Sequence, residues 1–472
     1  MAAPPETHRM ASSLRRMLIP LALAQFICSF AGSNMNVMIN DISKDLGTTV
    51  KGVQTAITIF LLVMAALMIP GGKLTVRWGR KRCFTLGLVI YAVGAILSAA
   101  SPGLGVLILG NSILEGVGTA MLIPPVYILT TLYFDEVTSR ARAFGAISGM
   151  GGIGAAAGPL IGGLITTAIS WRAAFIFQAL VIAVIVLLSR KIKDPLPPDP
   201  HSRPDTIGTV LSAVGLVLVV MGIQAASTNL WWTLGLVAAG TLALTWFFVH
   251  IRAMERRGRE PLLSTGLFRN RTSNLGLATQ NVQWLLLLGT AFVVSAYLQV
   301  VRGYNAIQTG VIFTAATVGI LLSSLGAERF AKRRSQRTLI LAGFVMTLIG
   351  VGVLVAMVAA AESVWAFAPG LFFIGFGCGA MLTPSVNVVQ SSWTEALQGE
   401  ISGLSRAVSN LGSTFGTAIA GTVLVAEILE GNKNYGLSMI VLGVAGLGGL
   451  VAALFLPSHL AVAKAEGLAG PE

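Results

Sequence analysis

Charged residues are scarce in this chain of 472 residues. Asp, Glu, Lys and Arg make up 11% of the sequence, against about 25% in soluble domains. Hydrophobic residues make up 54%, and the mean hydropathy is +0.80. A compact soluble fold of this size could not bury so much apolar surface, and a disordered chain needs low hydrophobicity. The composition therefore excludes both classes and predicts a protein that lies in a lipid bilayer.

Cysteine and histidine are also scarce, with three and four copies. So few cysteines exclude a disulfide scaffold, and neither residue type shows the spacing of metal ligands. The sequence contains no nucleophile–base pair and no phosphate-binding loop. It therefore predicts neither an enzyme nor an ATP-driven pump, and it indicates no metal and no cofactor.

Long apolar runs divide the chain. A helix needs about 20 apolar residues to cross the ~30 Å hydrocarbon core, where helices satisfy every backbone polar group. The short alternating strands of a membrane barrel are absent. Fourteen runs are long enough: 17–39, 53–74, 84–100, 106–132, 143–169, 173–189, 207–226, 231–250, 275–300, 306–326, 338–360, 365–390, 401–426 and 436–456. Runs five and six, and seven and eight, are so closely spaced that merging each pair leaves a twelve-span alternative.

Lys and Arg are distributed unevenly between the loops. With the N-terminus in the cytoplasm, most of the 32 Lys and Arg residues fall in cytoplasmic loops, as the positive-inside rule requires. We therefore expect a multi-pass protein of the plasma membrane, bacterial inner membrane included, with both termini cytoplasmic. Topology and anionic lipid headgroups explain the net charge of +13, so we expect no nucleic acid partner. The same assignment places Arg406 in a cytoplasmic loop.

The chain carries a weak internal repeat. Residues 118–126 return as 378–386, and the glycines of span five return in span thirteen. Repeats of this kind are typical of membrane transporters, and the offset of eight spans leaves an inserted pair between two six-span halves. The predicted segments are an N-terminal tail (1–14), a first bundle (15–190), a Pro-rich linker (191–205), the inserted helix pair (206–250), a basic linker (251–273), a second bundle (274–457) and a C-terminal tail (458–472). The predicted fold class is an all-α membrane protein, two six-helix bundles with two inserted central helices.

Four motifs, in this order, resemble those of the major facilitator superfamily, specifically its fourteen-span drug:proton antiporter branch. They are the basic loop 72–82, the span-four segment 115–120, the glycine motif 154–163, and the entry to span nine at 260–271. The resemblance covers about residues 15–457. It implies the major facilitator fold and alternating access. Family antiporters use buried charges for proton coupling, but the usual Arg and Gln positions of span four hold Ser112 and Glu115 here, and the usual span-one Asp aligns near Ala31.

Glu115 is the leading candidate for a proton-coupling or substrate-binding residue. It lies about nine residues into its span, ~13 Å deep at 1.5 Å per residue. A carboxylate at that depth is costly, and ionisable residues inside a membrane are functional hypotheses by default. Two alternatives stay open, a counter-ion for a cationic substrate and a structural carboxyl hydrogen-bonded to a neighbouring helix. The sequence offers no deep Arg or Lys as its partner.

Deep polar and aromatic residues are predicted to line a large, mainly apolar cavity that suits amphipathic or lipid-like solutes. The candidates are Gln25, Phe30, Asn34, Asn36, Gln54, Tyr127, Gln280, Gln283, Trp284, Tyr297, Asn387 and Gln390. For each single Gln or Asn, a hydrogen bond between helices is an equally good interpretation.

Two motifs are predicted to act mechanically. The first is the close-packed, bent segment of span five, at which the halves would meet; it comprises Gly154, Gly158, Pro159, Gly162 and Gly163. The second is a cytoplasmic latch formed by Gly72, Arg77, Gly79 and Arg80. Its candidate carboxylate partners are Asp135, Glu136, Glu395 and Glu400.

Two functions agree with these observations. The first is secondary active export of amphipathic or drug-like compounds, of the multidrug type, coupled to a proton gradient through Glu115. The alternative is an uncoupled transporter, or a lipid or metabolite transporter of the same fold, which the missing family charges favour. In either case the expected partners are a small amphipathic or lipid-like substrate and membrane lipids, and we expect a monomer.

Overall fold

The computed structural model describes residues 5–134, 137–198, 205–226, 229–331, 335–360, 363–393, 397–426, 428–429 and 432–457, and in these residues it contains helices and no strand. We label fourteen helices α1 to α14 in chain order: Met17–Asp45, Val50–Trp78, Arg80–Ala99, Leu104–Tyr133, Val137–Ala168, Trp171–Ser189, Thr206–Ala225, Leu230–Arg256, Arg271–Val301, Ala306–Ala331, Gln336–Ala360, Trp365–Gln390, Gln398–Val425 and Lys433–Leu454. The near face is the membrane face at which α1 begins, and the far face is the one at which α1 ends.

Polar caps separate the helices that the sequence left ambiguous. Ser170 has extended backbone dihedrals and its hydroxyl accepts a hydrogen bond from Ala173 N, so α6 starts anew after α5. Asn229 also has an extended backbone, and its Oδ1 accepts hydrogen bonds from the backbone amides of Trp231 and Trp232, so α8 starts anew after α7. Such side chains satisfy amide groups that the first helical turn leaves unpaired. The described residues contain thirteen helices that are long and apolar enough to cross a membrane, or fourteen when the bent helix α5 is counted as one span, as the fourteen-span prediction expects. The two mergers that the twelve-span alternative requires do not occur.

Helix α5 is bent by 42° between its segments Ala143–Ala155 and Ala157–Ala168. Pro159 lies in the second segment and cannot donate to the carbonyl group of Ala155, four residues earlier. Loss of this hydrogen bond, together with the clash of the proline ring with that carbonyl, bends a helix at this position. When the bent helix α5 is counted as one span, the number of candidate membrane spans is fourteen.

The helices form two bundles with an inserted pair between them in the sequence. Helices α1 to α6 pack on one another, as do α9 to α14. The pair α7 and α8 packs together, and α7 contacts both bundles through Val220, which clusters with Leu62 of α2 and Ala418 of α13. Helix α8 is mostly exposed, with large apolar side chains such as Trp246 on its surface. This exposure suits a helix that faces lipid.

Glycines let equivalent helices approach closely in the two bundles. A Cβ added at Gly154 would lie against the carbonyl of Phe26 in α1. In the second bundle, a Cβ at Gly412 would lie against the carbonyl of Asn281 in α9. The α5–α1 contact is therefore repeated as the α13–α9 contact, in agreement with the sequence repeat.

The next residues of the α5 motif contact the other bundle. A Cβ at Gly163 would lie against the carbonyl of Ala306 in α10, and a Cβ at Gly310 of α10 would lie against the carbonyl of Pro159. One side of α5 thus packs on α1 within its own bundle, and the other packs on α10 across the interface. These contacts agree with the prediction that the halves meet at this motif.

We predict that Gly154→Ala destabilises the protein, because the added methyl group meets backbone atoms that cannot rotate away. Overpacking of this kind costs about 1–3 kcal/mol. The matched control is Gly145→Ala on the same helix, where a Cβ meets no atom within 4 Å. The apparent melting temperature of the purified protein in detergent should fall for the first variant and stay unchanged for the control. Equal melting temperatures would contradict the backbone contact.

Candidate functional site

A cavity lies between the two bundles and contains about 530 Å³ of empty space, open solvent included. Both bundles supply its walls. The lining residues are Gln25, Cys28, Ser29, Gly32, Leu61, Met64, Met68, Ile123 and Ala155 from the first bundle, and Trp284, Leu288, Arg406, Ser409, Asn410 and Ser413 from the second. A smaller space shares Ser29, Trp284, Arg406 and Ser409 with it. It adds residues of the near half of the protein, such as Ser148 and Ser405, so the cavity continues towards the near face.

Arg406 brings a positive charge into this cavity. Helix α13 begins at Gln398, so Arg406 lies two turns inside the helix and not in a loop. Its guanidinium carbon lies 4.7 Å from the centre of the Tyr127 ring, which is cation–π geometry. The expectations that Arg406 occupies a cytoplasmic loop and that the chain has no deep cation are therefore wrong. The position of Arg406 inside the apolar run 401–426 was the signal that could have revealed it.

Three of the predicted cavity residues meet at this point. Gln25 and Trp284 line the cavity. Tyr127 connects Gln25 to Arg406, because its hydroxyl donates to Gln25 Oε1 at 3.2 Å while its ring faces the guanidinium group. Gln25 Nε2 in turn donates to Ser29 Oγ at 3.1 Å. This chain of hydrogen bonds holds the aromatic ring against the arginine.

The other predicted cavity residues lie elsewhere in the helices and not among the lining residues. Two of them form hydrogen bonds inside the second bundle: Gln280 accepts from Ser405 Oγ at 2.8 Å, and Gln283 Nε2 donates to Cys378 O at 3.0 Å. Phe30 packs on Phe177, and Tyr297 packs on Phe367 and Tyr435. The remaining residues are Asn34 (buried beside Gly162), Asn36 and Gln54 (buried towards the far face), and Asn387 and Gln390 (near the end of α12).

Glu115 is fully buried inside the first bundle. It ends a π-helical stretch of α4, Ile108–Glu115, a wide form of helix that is frequent at functional sites. Ser98 Oγ of α3 donates to Glu115 Oε1 at 3.5 Å, and the Tyr91 hydroxyl lies beside the same carboxyl group. Glu115 Oε2 has no hydrogen-bond partner among the described residues. The carboxyl group therefore faces α3 and is not part of the cavity wall.

Cys28 lies between the surroundings of Glu115 and the cavity wall only in the sense that it is close to both. It lines the cavity and lies near Glu115 and Arg406. Thr119 is buried beside Cys28, one turn further along α4 than Glu115, and its hydroxyl group has no hydrogen-bond partner among the described residues.

Comparison with known proteins identifies the family. The sequence profile described as Major Facilitator Superfamily matches residues 21–417 and 280–469. The chain belongs to the major facilitator superfamily. It is therefore a multi-pass membrane transporter and not an enzyme.

Several relatives of this transporter carry names that refer to drug resistance. The puromycin resistance protein pur8 of Streptomyces alboniger is 29% identical over 413 residues, which cover 86% of this chain and 81% of that protein. The multidrug efflux pump LfrA of Mycolicibacterium smegmatis is 26% identical, with coverage of 89% and 83%. The methylenomycin A resistance protein of Bacillus subtilis is 25% identical, with coverage of 95% and 96%. These names agree with the drug:proton antiporter branch that the motifs resemble.

A solved structure shows the same fold. A peptide transporter, POT, whose crystal structure contains sulfate, aligns with a TM-score of 0.66 and 17% sequence identity, and the alignment covers 93% of both chains. At this identity the likeness concerns the fold alone. The prediction of an all-α major facilitator fold is confirmed.

At the far face of this major facilitator protein, polar groups connect the two bundles. Gln299 Nε2 of α9 donates to Asn36 O of α1 at 2.7 Å, and Gln299 Oε1 accepts from Asn40 N at 3.2 Å. Thr167 Oγ1 of α5 accepts from Ile307 N of α10 at 3.0 Å. Together with the glycine contacts of α5, these hydrogen bonds hold the far ends of the bundles together.

At the near face, an ion pair between described residues joins the bundles. Lys73 Nζ of α2 lies 2.9 Å from Glu400 Oε1 of α13. Glu400 Oε2 also accepts from Ser264 N at 3.3 Å, in the segment before α9. The bridge therefore connects the first bundle to the second and to the linker between α8 and α9.

The basic loop 72–82 also has a carboxylate partner that the sequence did not indicate. Asp194, which follows α6, accepts from Arg80 N at 2.6 Å and lies 4.0 Å from the Arg80 guanidinium group. Gly79 has a φ of 95°, a value that favours glycine at this turn. Of the four carboxylates predicted for the latch, Glu400 contacts Lys73 and not Arg77 or Arg80, and the other three, Asp135, Glu136 and Glu395, lie outside the described residues. Gly72 packs near Pro124 of α4.

We predict that Lys73→Gln makes the cavity more accessible from the near face. The Lys73 and Glu400 side chains are 20% and 27% exposed, and an ion pair in contact with solvent contributes about 0.2–1 kcal/mol, so its loss should increase opening by up to about fivefold. The measured quantity is the rate at which Cys28 is labelled by a maleimide, in a protein whose Cys83 and Cys378 are replaced by Ser. Cys28 is suitable because it lines the cavity.

Two further variants test this prediction. The charge-swapped protein with Lys73→Glu and Glu400→Lys should return to the original labelling rate. Lys191→Gln, an exposed lysine that follows α6 at the same face, is the control and should have no effect. Identical rates for Lys73→Gln and Lys191→Gln would contradict a role of the bridge in closing the near face.

Proposed function

We propose that this protein is a secondary active exporter of amphipathic, drug-like compounds, and that it works by alternating access with proton coupling through Glu115. The observation that carries the proposal is the cavity between the bundles, since both bundles supply its apolar and polar walls. A site built from both halves changes its exposure when the halves move relative to each other. The drug-resistance names of several relatives support the substrate class.

Alternating access is supported by the unequal contacts at the two faces. The far face is held by backbone contacts of Gly163 and Gly310 and by the hydrogen bonds of Gln299. The near face is joined by the Lys73–Glu400 bridge, and the cavity continues towards it. Among the described residues, fewer polar contacts join the two bundles at the near face than at the far face. The bend of α5 lies between the two and is the natural position of a hinge.

We place the near face in the cytoplasm. Both clusters of basic residues that the structure describes at the ends of helices, around Arg80 and around Arg256, lie at this face, and the positive-inside rule assigns such clusters to the cytoplasm. The bacterial relatives favour the inner membrane as the location. In this orientation the cavity receives its cargo from the cytoplasm.

Proton coupling through Glu115 is supported by its burial and by its incomplete hydrogen bonding. A carboxyl group in hydrocarbon is far more stable neutral than charged. If the cavity hydrates the Cys28–Thr119 pair in one state of the cycle, Glu115 can lose its proton there and regain it in the other state. Ser98 Oγ is positioned to donate to the charged form, whereas the Tyr91 hydroxyl beside it donates to Gln178 Oε1 at 2.5 Å.

One observation favours the alternative, an uncoupled transporter. Glu115 is shielded from the cavity, and no other carboxylate lies among the residues that line it. In that case Glu115 would be a structural carboxyl group that joins α3 to α4. The two candidates differ in whether transport depends on a pH gradient.

We predict that Glu115→Gln abolishes uphill accumulation and preserves downhill movement. Purified protein is reconstituted in proteoliposomes, and a panel of fluorescent amphiphiles is tested with and without an imposed pH gradient. Gln keeps the size of the side chain and its hydrogen bonds but cannot carry a proton, so gradient-driven accumulation should fall at least tenfold. Glu115→Asp should retain part of it, and the exposed Glu260→Gln is the control. Accumulation that survives both Glu115→Gln and collapse of the gradient would support the uncoupled transporter instead.

A further inference from the structure

We infer that the cavity contains an anion-binding subsite formed by Arg406 and Asn410, and that the preferred cargo is an amphipathic anion, with a carboxylate or sulfonate group on an apolar body. This inference rests on the proposed export function and specifies its substrate class. It also differs from the expectation that Glu115 would serve as the counter-ion of a cationic substrate.

The charges of the cavity wall have one sign. Among the described residues that line the cavity, Arg406 alone carries a charge, and no described carboxylate lies within 4.0 Å of its guanidinium group. The buried acid Glu115 lies inside the first bundle and is not among the residues that line the cavity. A cationic substrate would therefore meet a like charge in the cavity and no counter-charge.

An unpaired arginine inside a membrane protein is costly, and the structure compensates for this cost only in part. The Tyr127 ring stabilises the cation from one side at 4.7 Å. Arg406 also lines the cavity, where a planar carboxylate or a sulfonate could accept two parallel hydrogen bonds from its guanidinium group. An anion would supply the missing counter-charge.

Asn410 adds a second donor on the same face of α13. It lies four residues after Arg406 and lines the same cavity, so the two side chains lie one turn apart. Asn410 Nδ2 is buried and has no hydrogen-bond partner among the described residues. The hydroxyl groups of Ser409 and Ser413, by contrast, donate to carbonyl groups of their own helix. Asn410 thus offers an unused donor at the site where Arg406 would hold an anion.

The opposite wall of the cavity suits the apolar part of such a molecule. It is formed by side chains that carry no hydrogen-bonding groups or only a ring N–H: Leu61, Met64, Met68, Ile123, Trp284 and Leu288. Methionine side chains adapt to varied shapes, so the apolar wall would tolerate different ligand bodies while Arg406 selects their charge.

The test uses three pyrene compounds that share one apolar body: pyrenebutyrate (anionic), pyrenebutanol (neutral) and pyrenebutylamine (cationic). Binding to the purified protein in nanodiscs is measured by equilibrium dialysis, and transport is measured separately in proteoliposomes. We expect pyrenebutyrate to bind at least tenfold more tightly than pyrenebutylamine. Arg406→Gln should weaken pyrenebutyrate binding about 10- to 100-fold and leave pyrenebutanol binding unchanged, which also shows that the variant is folded.

Further variants separate charge from geometry. Arg406→Lys should restore part of the anion preference, because it keeps the charge and loses the bidentate fork. Asn410→Leu should weaken pyrenebutyrate binding severalfold and leave pyrenebutanol binding unchanged. The control is Arg252→Gln, an exposed arginine of α8 outside the cavity, which should change nothing.

The outcomes distinguish this inference from the proposed function. Equal binding of all three compounds, or an anion preference that survives Arg406→Gln, would overturn the anion subsite, and transport of these compounds would then still support export. Anion binding that depends on Arg406 without transport of any of the compounds would support the subsite and contradict the export function.

Discussion

Direct backbone contact of α5 with helices on both sides is the constraint on which the arrangement of the two bundles depends. Helices in hydrocarbon keep their backbone groups internally bonded and can approach closely only where side chains are absent. Gly154 provides such a place towards α1, and Gly163 provides it towards α10. Pro159 bends the helix between these contacts. Because α5 packs closely on α1 in one bundle and on α10 in the other, movement of one bundle is transmitted through α5 to the other.

Two buried charges divide the tasks in the account proposed here. Arg406 lines the cavity and Glu115 is buried inside the first bundle; we propose that Arg406 recognises cargo and that Glu115 exchanges a proton. Among the described residues the two groups form no ion pair with each other. A drug transporter that lacks the usual family charges can in this way keep one group for selectivity and another for coupling.

The sequence predicted the scaffold well because span number, loop charge and glycine spacing are local features. It predicted the cavity poorly because a transmembrane helix is apolar all round, and its sequence does not show which side faces a partner. Gln25 and Gln280 occupy equivalent places, one residue before Phe26 and Asn281, on which Gly154 and Gly412 pack, yet only Gln25 lines the cavity. Arg406 was missed because a charge near a helix end was assigned to a loop, and Asp194 because the partner of a basic loop is decided by tertiary packing.

Cross-linking of the far face tests the central claim, movement of two bundles about a shared cavity, most directly. Cysteines are placed at Thr167 and Ile307, which are in contact across the interface, in a protein whose three native cysteines are replaced. The account predicts that a short thiol cross-linker abolishes transport, that reduction restores it, and that either single cysteine is without effect. Undiminished transport by the fully cross-linked protein would contradict the account.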